Sequence, residues 1–457
     1  MKHSRRSFLS FGTAAGAAAL SGVLPACGGK TPPQDSGASD GPAPTRPPEP
    51  EPWQPPAGWD ADAFPFGLQS GDVLADGVLL SVRCRGVAAV TLQVLRAEGD
   101  GWALHEEIGP LEPDEEGVVA VELDGLEADT AYAWGAHDGE GRWSPPGRFR
   151  TALGPDGWRQ VTIGATSCLG GNDPWPSLSQ AAADRLDCFL LLGDTVYADG
   201  SRTIEQFRRV WRVALSTQGL IDVTASTSVV ATWDDHEITN NTGWGTLPEA
   251  SFAAGLQAFR EALPMRGGGG RHGMWRSLSW GAVAELFVLD SRGERDGDAY
   301  LSREQLDWLK DGLLASEARF KLILNSVPIT DETAFVGEAA ADDRWQGYPA
   351  QREELLAHIT DNAIEGIVWV SGDHHFAMVA HVDPEGGTGW NQWEVLVGPG
   401  GSFLNPAADL YVGDPQYPVM FATWNFTRFT CDPGTGSVRV EFVGDDGTIL
   451  EEMSLQV

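Results

Sequence analysis

The chain has 457 residues, 42% of them hydrophobic and 21% charged, enough for two to four domains and a large core that needs no disulfide scaffold. Lys and Arg number 31 against 65 Asp and Glu, a formal net charge of −34. That field argues against nucleic acid or an anionic lipid surface held by a broad basic face, while a small phosphate compound remains open if a metal ion or a few arginines neutralise it locally.

The N-terminus reads as an address. Arg5-Arg6 before Phe8-Leu9 is a twin-arginine pattern, and the Ala/Gly-rich stretch from Phe8 to Leu24 fits a secretory signal better than a membrane span. Leu24-Pro25-Ala26-Cys27 resembles a bacterial lipobox with Cys27 as the lipidated first residue of the mature chain; ordinary cleavage with an incidental Cys27 is the alternative. The expectation is export of a folded protein to the periplasm or outer surface, with residues 1–27 as signal. Residues 28–63 are expected to form a disordered tether, because 28–56 carry ten prolines among Gly, Ser, Asp and Glu.

Residues 64–152 show short β-like runs, Gly77–Arg85, Val90–Arg96, Val118–Leu123 and Thr130–Gly135, separated by Gly, Asp and Pro turns. A small all-β sandwich is predicted, without a cluster of chemical groups. From about 160 to 457 the rhythm changes to strand-like runs alternating with helical ones, the signature of a layered α/β fold. Predicted helices are Ser177–Leu186, Ile204–Leu215, Glu249–Leu263, Ser302–Ser316 and Pro349–Ile359. Predicted buried strands begin at Val161, Cys188, Ser228, Ala284, Phe320 and Gly366.

Ionisable groups follow five of these strands: Cys168; Gly193-Asp194 with Tyr197; Asp234-Asp235-His236-Glu237 with Asn240; Asp290 with Arg292; and Gly372-Asp373-His374-His375. One Asp after a strand is commonly a turn former or helix cap. Three acidic motifs, each beside His or Tyr, instead predict a metal site at the carboxyl ends of the strands. Asp194 is the natural bridge between two cations; Asn240, Asp373 and His375 complete the shells, and Cys168 and Tyr197 add a thiolate and a phenolate. Spacing alone does not choose between zinc, manganese, iron and calcium. His236 reads either as proton donor to a leaving group or as a group orienting a ligand. Arg292 reads as a phosphate clamp or as partner of a local Asp. His374 reads as structural.

With these motifs the chain resembles the alkaline phosphatase D (PhoD-like) family of calcineurin-like metallophosphoesterases. Tyr197 in Gly193-Asp194-x-x-Tyr197 is that family's mark. Further likenesses are Phe66–Val73, Leu289–Arg292, Glu304–Leu309 and Trp345–Arg352. The resemblance implies a layered α/β/α metallophosphoesterase core after the β-sandwich, and hydrolysis of phosphate monoesters and diesters. It also implies Fe³⁺ held by Cys168, Asp194 and Tyr197, Ca²⁺ held by Asn240 and Asp373, and His375 as a ligand at the same cluster; other divalent metals fit too. One departure is Ala407 after Asn405-Pro406, where family members often carry His. The expected partner is a small phosphate ester, with a lipid anchor and a monomeric body. The alternatives are a diesterase specific for phospholipid or cell-wall polymer, and a surface lipoprotein that binds a partner through its β-domain around an inert metal site.

Overall fold

A computed structural model of the chain describes residues 41–243, 245–333, 341–411 and 413–457. The signal, Cys27 and the first part of the expected tether lie outside these residues.

The body is built on two large sheets. One runs, in spatial order, Ile449–Gln456, Ser437–Gly444, Asn425–Asp432, Val161–Thr166, Cys188–Leu192, Val229–Thr232, Leu68–Gly71, Gly77–Arg83 and Val118–Asp124. The other runs Arg276–Trp280, Ala284–Val288, Phe320–Leu324, Ile367–Ser371, Trp393–Leu396, Ala377–His381 and Val419–Phe421. Each has a parallel centre, which explains its continuous apolar runs: both faces are covered. Alternate residues then serve different layers. Leu190 and Leu192 face the core between the sheets, with Leu322, Leu324, Val368 and Val370 from the other sheet. Phe189 and Leu191 face out to Trp211, Phe252 and Phe259. Ile323 and Trp369 face Leu306, Leu309 and Leu355 on the opposite flank. The order is therefore helix, sheet, sheet, helix.

The helices Ile204–Leu215 and Glu249–Ala262 pack outside the first sheet, and Arg303–Ala315 and Pro349–Asp361 outside the second. Two of their starts are set locally: the Gln206 side-chain Oε1 accepts from the Thr203 amide at 3.1 Å, and the Ser302 hydroxyl accepts from the Gln305 amide at 3.2 Å. None of the helices among the described residues is long and apolar enough to cross a membrane.

The N-terminal β part is continuous with the rest. Gly101–Leu111, Val90–Glu98, Ala131–His137 and Gly147–Arg150 form a separate four-stranded sheet. Its companion strands instead extend the first large sheet, where Gly71 pairs in parallel with Val229 and the Asp72 amide donates to the Val229 carbonyl at 3.0 Å. Asp72 is fully buried and receives both arms of the Arg276 guanidinium, at 2.7 and 2.8 Å.

From Gly41 onward the proline-rich stretch differs from the expected disordered tether. The Ala43 amide donates to Asp432 at 2.9 Å, the Gln160 amide to the Pro44 carbonyl at 2.8 Å, and Arg46 to the Leu186 carbonyl at 2.6 Å. Farther along, Trp102 donates to the Glu51 carbonyl at 2.7 Å, and Trp53 packs edge-on to Trp143 with centroids 6.2 Å apart. Extended proline-rich backbone makes no internal hydrogen bonds, so its carbonyls and its few apolar side chains are available to a neighbouring surface. Here they are used, and residues 41–63 form an ordered arm across both parts of the chain.

Candidate metal centre

The chemistry gathers at the carboxyl ends of the parallel strands. Cys168, Asp194, Asp234 and Asp373 each lie just past a strand end, at Thr166, Leu192, Thr232 and Ser371 respectively. The first three strands are neighbours in parallel register in one sheet, and Asp373 comes to the same rim from the facing sheet. The backbone there is unusual: Cys168, Asp194, Asp373 and His375 all have positive φ, from 54° to 77°. Such non-glycine conformations cost on the order of 1–3 kcal/mol each and persist only where the surroundings impose them. Gly193 is required by a close approach, since a Cβ there would lie 2.4 Å from that of Asp234.

Three ligand groups result, each with donor atoms within 4.8 Å of one another: Cys168, Asp194 and His375; Asp194, Asp235 and His236; and Asp234, Asp235 and Asp373. Asp194 and Asp235 each belong to two of them. Asp194 Oδ2 lies 3.7 Å from Cys168 Sγ, 3.4 Å from the Tyr197 hydroxyl and 3.9 Å from His375 Nε2. The Tyr197 hydroxyl is also 3.1 Å from His375 Nε2. Glu237, fully buried, holds the frame together: its carboxylate accepts from the amides of Asp194, Thr195 and Asp234 at 3.0, 2.7 and 2.9 Å.

The donor set fits metal ions. Asp234 Oδ2 and Asp235 Oδ1 are buried carboxylate oxygens with no hydrogen-bond partner, which is costly unless a cation meets them. Burial, and then the charges of Asp234 and Asp235, push the Asp194 carboxyl well above the usual range. Burial and neighbouring acids likewise raise the Cys168 thiol and the Tyr197 phenol. Burial lowers His375 to about 4, so its imidazole is neutral and able to ligate. The protein alone disfavours ionising Asp194, Cys168 and Tyr197; bound cations reverse that balance.

Arg292 is fully buried. It forms hydrogen-bonded ion pairs with Asp234 and Asp343 and lies 3.6 Å from Asp373, so its contacts are with local carboxylates. Burial disfavours the Asp373 anion, but the hydrogen bond and charge of His374, with Arg292, outweigh this and hold Asp373 below the ordinary carboxylate range. His374 spans Asp373 at 3.2 Å and Glu332 at 3.3 Å.

The structure thus brings Cys168, Asp194, Tyr197 and His375 together, and sets Asp373 beside Asp234 and Asp235. His236 lies at the edge, its ring 4.4 Å from that of Tyr197 and its Nδ1 2.7 Å from Asp199. Asn240 differs from the rest: it is exposed, and its amide donates to Asn241 at 2.7 Å. Asp234, Asp235 and Glu237 stand inside the acidic motif, yet the sequence reading gave them no ligand or framing role. Asp199, Glu332 and Asp343 carry no comparable sequence signal.

Two stacked sheets with an acidic, imidazole-bearing rim define a metallophosphoesterase-like fold. The structure described as PhoD superposes with a TM-score of 0.73, at 22% identity, over 88% of this chain and 90% of that one. The purple acid phosphatase PPD1 of yellow lupin (Lupinus luteus) superposes with a TM-score of 0.61, at 14% identity, over 85% and 73% of the two chains. In sequence, the PhoD-like phosphatase family model matches residues 163–411, and that of its N-terminal domain matches 51–153; the chain belongs to the PhoD-like phosphatase family. Alkaline phosphatase D of Bacillus subtilis (strain 168) is 26% identical over 390 residues, a match covering 70% of this chain and 66% of that protein, just under two thirds of its length.

Proposed function

We propose that this protein is an exported metal-dependent phosphoesterase that hydrolyses both monoesters and simple diesters. The observation that carries the reading is the set of three candidate ligand groups, one wholly buried and two with a half-buried member, joined through Asp194 and Asp235. Cys168, Asp194 and Tyr197 would hold Fe³⁺ with His375 beside them, and Asp373 would hold Ca²⁺ with the Asn240 amide from the rim, as the family resemblance implies. When bound, such ions polarise phosphate oxygens and lower the pKa of water, so that hydroxide is present near neutrality.

The chain's own groups divide the remaining work. Glu237 fixes the backbone of Asp194 and Asp234 through three amide hydrogen bonds. Arg292 offsets the mutual repulsion of Asp234, Asp235 and Asp373. Asp199 binds His236 Nδ1, which leaves Nε2 as the ring atom able to pass a proton to the departing alkoxide. A site that grips the non-ester oxygens has no need of a dianionic ester, hence the breadth towards diesters.

Export by the twin-arginine route, lipidation at Cys27 and a monomeric body complete the proposal. Metal loading before export suits a route that carries folded proteins. The test is protein purified from its native export route, analysed for metals and assayed on aryl monoesters, aryl diesters and a phospholipid. Each substrate is run before chelation, after it, and after calcium is restored. Calcium-dependent cleavage of both aryl classes is expected; cleavage of no substrate by fully metallated protein overturns the reading.

A further inference from the structure

The excursion from Ser402 to Leu410 carries three exposed large apolar side chains: Phe403, 71% exposed, Leu404, 37%, and Leu410, 62%. Single exposed apolar residues are ordinary on protein surfaces. Phe403 is distinguished by where it stands and how firmly it is held. Its ring meets the His375 imidazole edge-on, with centroids 4.2 Å apart and planes at 72°. The backbone on either side of it is pinned to the site itself. The Ser402 amide donates to the Cys168 carbonyl at 2.9 Å, and the Asn405 amide to the His375 carbonyl at 3.0 Å. The Asn405 side chain donates to the His374 carbonyl at 2.9 Å, and Trp424 donates to the Ser402 carbonyl at 2.6 Å. The loop therefore offers an aromatic face at a fixed position beside the metal-ligating imidazole. That is pre-organisation of the backbone for a ligand, which lowers the cost of ordering on binding.

The charges at the rim narrow the class of ligand. Arg292 is fully buried and engaged by Asp234 and Asp343, and Arg295, also buried, is committed to Asp343 at 3.2 Å. The whole chain carries a formal charge of −34. A leaving group with further phosphates would meet repulsion there; an uncharged apolar one would gain the ring.

We propose that Phe403 is a specificity-determining residue that receives the organic part of the substrate, and that the substrate class is phosphoesters of uncharged, apolar, preferably aromatic alcohols. This rests on the phosphoesterase reading above. Phe403 contacts the alcohol and takes no part in bond breaking.

The test uses two non-hydrolysable probes, phenylphosphonate and methylphosphonate, titrated calorimetrically against the metal-loaded full chain. Wild type is expected to bind phenylphosphonate about five- to tenfold tighter than methylphosphonate, the order of one aromatic contact. Phe403→Ala should abolish that preference while shifting methylphosphonate affinity less than twofold, and Phe403→Tyr, which keeps the ring, should restore it. Equal affinity of wild type for the two probes, or an unchanged preference in Phe403→Ala, overturns the proposal whether or not the enzyme turns over. Binding of neither probe overturns it too, and with absence of turnover on every ester it overturns the phosphoesterase reading as well.

Discussion

The Asp199 carboxylate stands 2.7 Å from Nδ1 of His236, and its second oxygen accepts the Asn240 amide at 2.6 Å. The carboxylate is thereby fixed by backbone and fixes the ring in turn, keeping the proton on Nδ1. Asp199→Asn keeps the shape but can present an N–H to that nitrogen, which then cannot hold its own proton while Nε2 gives one up. General acid–base groups contribute roughly 10²–10⁴-fold, so a loss of about 10–100-fold in kcat is expected on poor leaving groups. Esters of acidic phenols, which need no protonation, should lose far less. The measurement is the slope of log kcat against leaving-group pKa, which should steepen in the variant; an unchanged slope would separate His236 from proton transfer.

Asp194 belongs to two ligand groups, so Asp194→Asn should weaken metal binding at both and lower turnover by about three orders of magnitude or more. Tyr197→Phe discriminates the metal. A phenolate on Fe³⁺ gives a charge-transfer colour, so the purified protein should be coloured and the Phe variant bleached. Elemental analysis beside a visible spectrum checks both variants. A colourless, fully active protein holding only divalent metals would reject iron.

Far from the rim, Arg159 pairs with Asp187 in a two-pronged buried contact, at 2.7 and 3.0 Å. Burial opposes the Asp187 anion, but the charge and hydrogen bonds of Arg159, with Arg46, hold its carboxyl below the ordinary 3.8. A depressed folded pKa stabilises the fold above the unfolded value, and the benefit is lost as pH falls through the lower folded value. Asp187→Ala leaves Arg159 with Asp129 as its one remaining carboxylate, beside the Gln160 carbonyl, and should cost about 3–5 kcal/mol at neutral pH. Melting curves between pH 7 and 3 should show the gap between wild type and variant narrowing only at the acid end.

The arm has its own test. A Cβ at Gly135 would fall 2.9 Å from the Trp53 ring. Gly135→Ala should therefore lift Trp53 off the sheet. Overpacking of this kind costs roughly 1–3 kcal/mol, enough to speed proteolysis within residues 41–60 on the order of tenfold. Limited digestion with N-terminal sequencing reads this directly, and equal cleavage rates would show that the arm is held elsewhere.

The motif-bearing strand ends were legible because a fully apolar strand with covered faces must place its first polar residue at the rim. Cys188–Leu192 and Ile367–Ser371 show this, and Asp194 and Asp373 follow them. Asp234 and Asp235 were visible as a motif, but nothing in spacing ranks them against Asn240; that depends on which way the turn after Thr232 carries each side chain. Glu332, Asp343 and Asp199 reach the site from irregular connections, where no periodicity reports direction. The strands Asn425–Asp432, Ser437–Gly444 and Ile449–Gln456 carry no motif and are not among the predicted ones. The continuation of the first sheet through Leu68–Gly71 rests on one ladder pair, Gly71 with Val229, and such a distant pairing leaves no local trace.

That single pairing bears on how the protein can be taken apart. Strand Leu68–Gly71 meets the strand Val229–Thr232 at its first residue, Gly71 beside Val229, and Arg148 reaches back from the N-terminal part to the carbonyls of Ser226, Ala182 and Asp184. Cutting the chain near residue 153, where the family's N-terminal model ends, would bare a hydrophobic parallel strand edge and strand a buried Arg276 without Asp72. The N-terminal part is thus no transplantable module: swapped onto a relative or expressed away from its body, each half should aggregate, and the intact chain should melt as one cooperative unit.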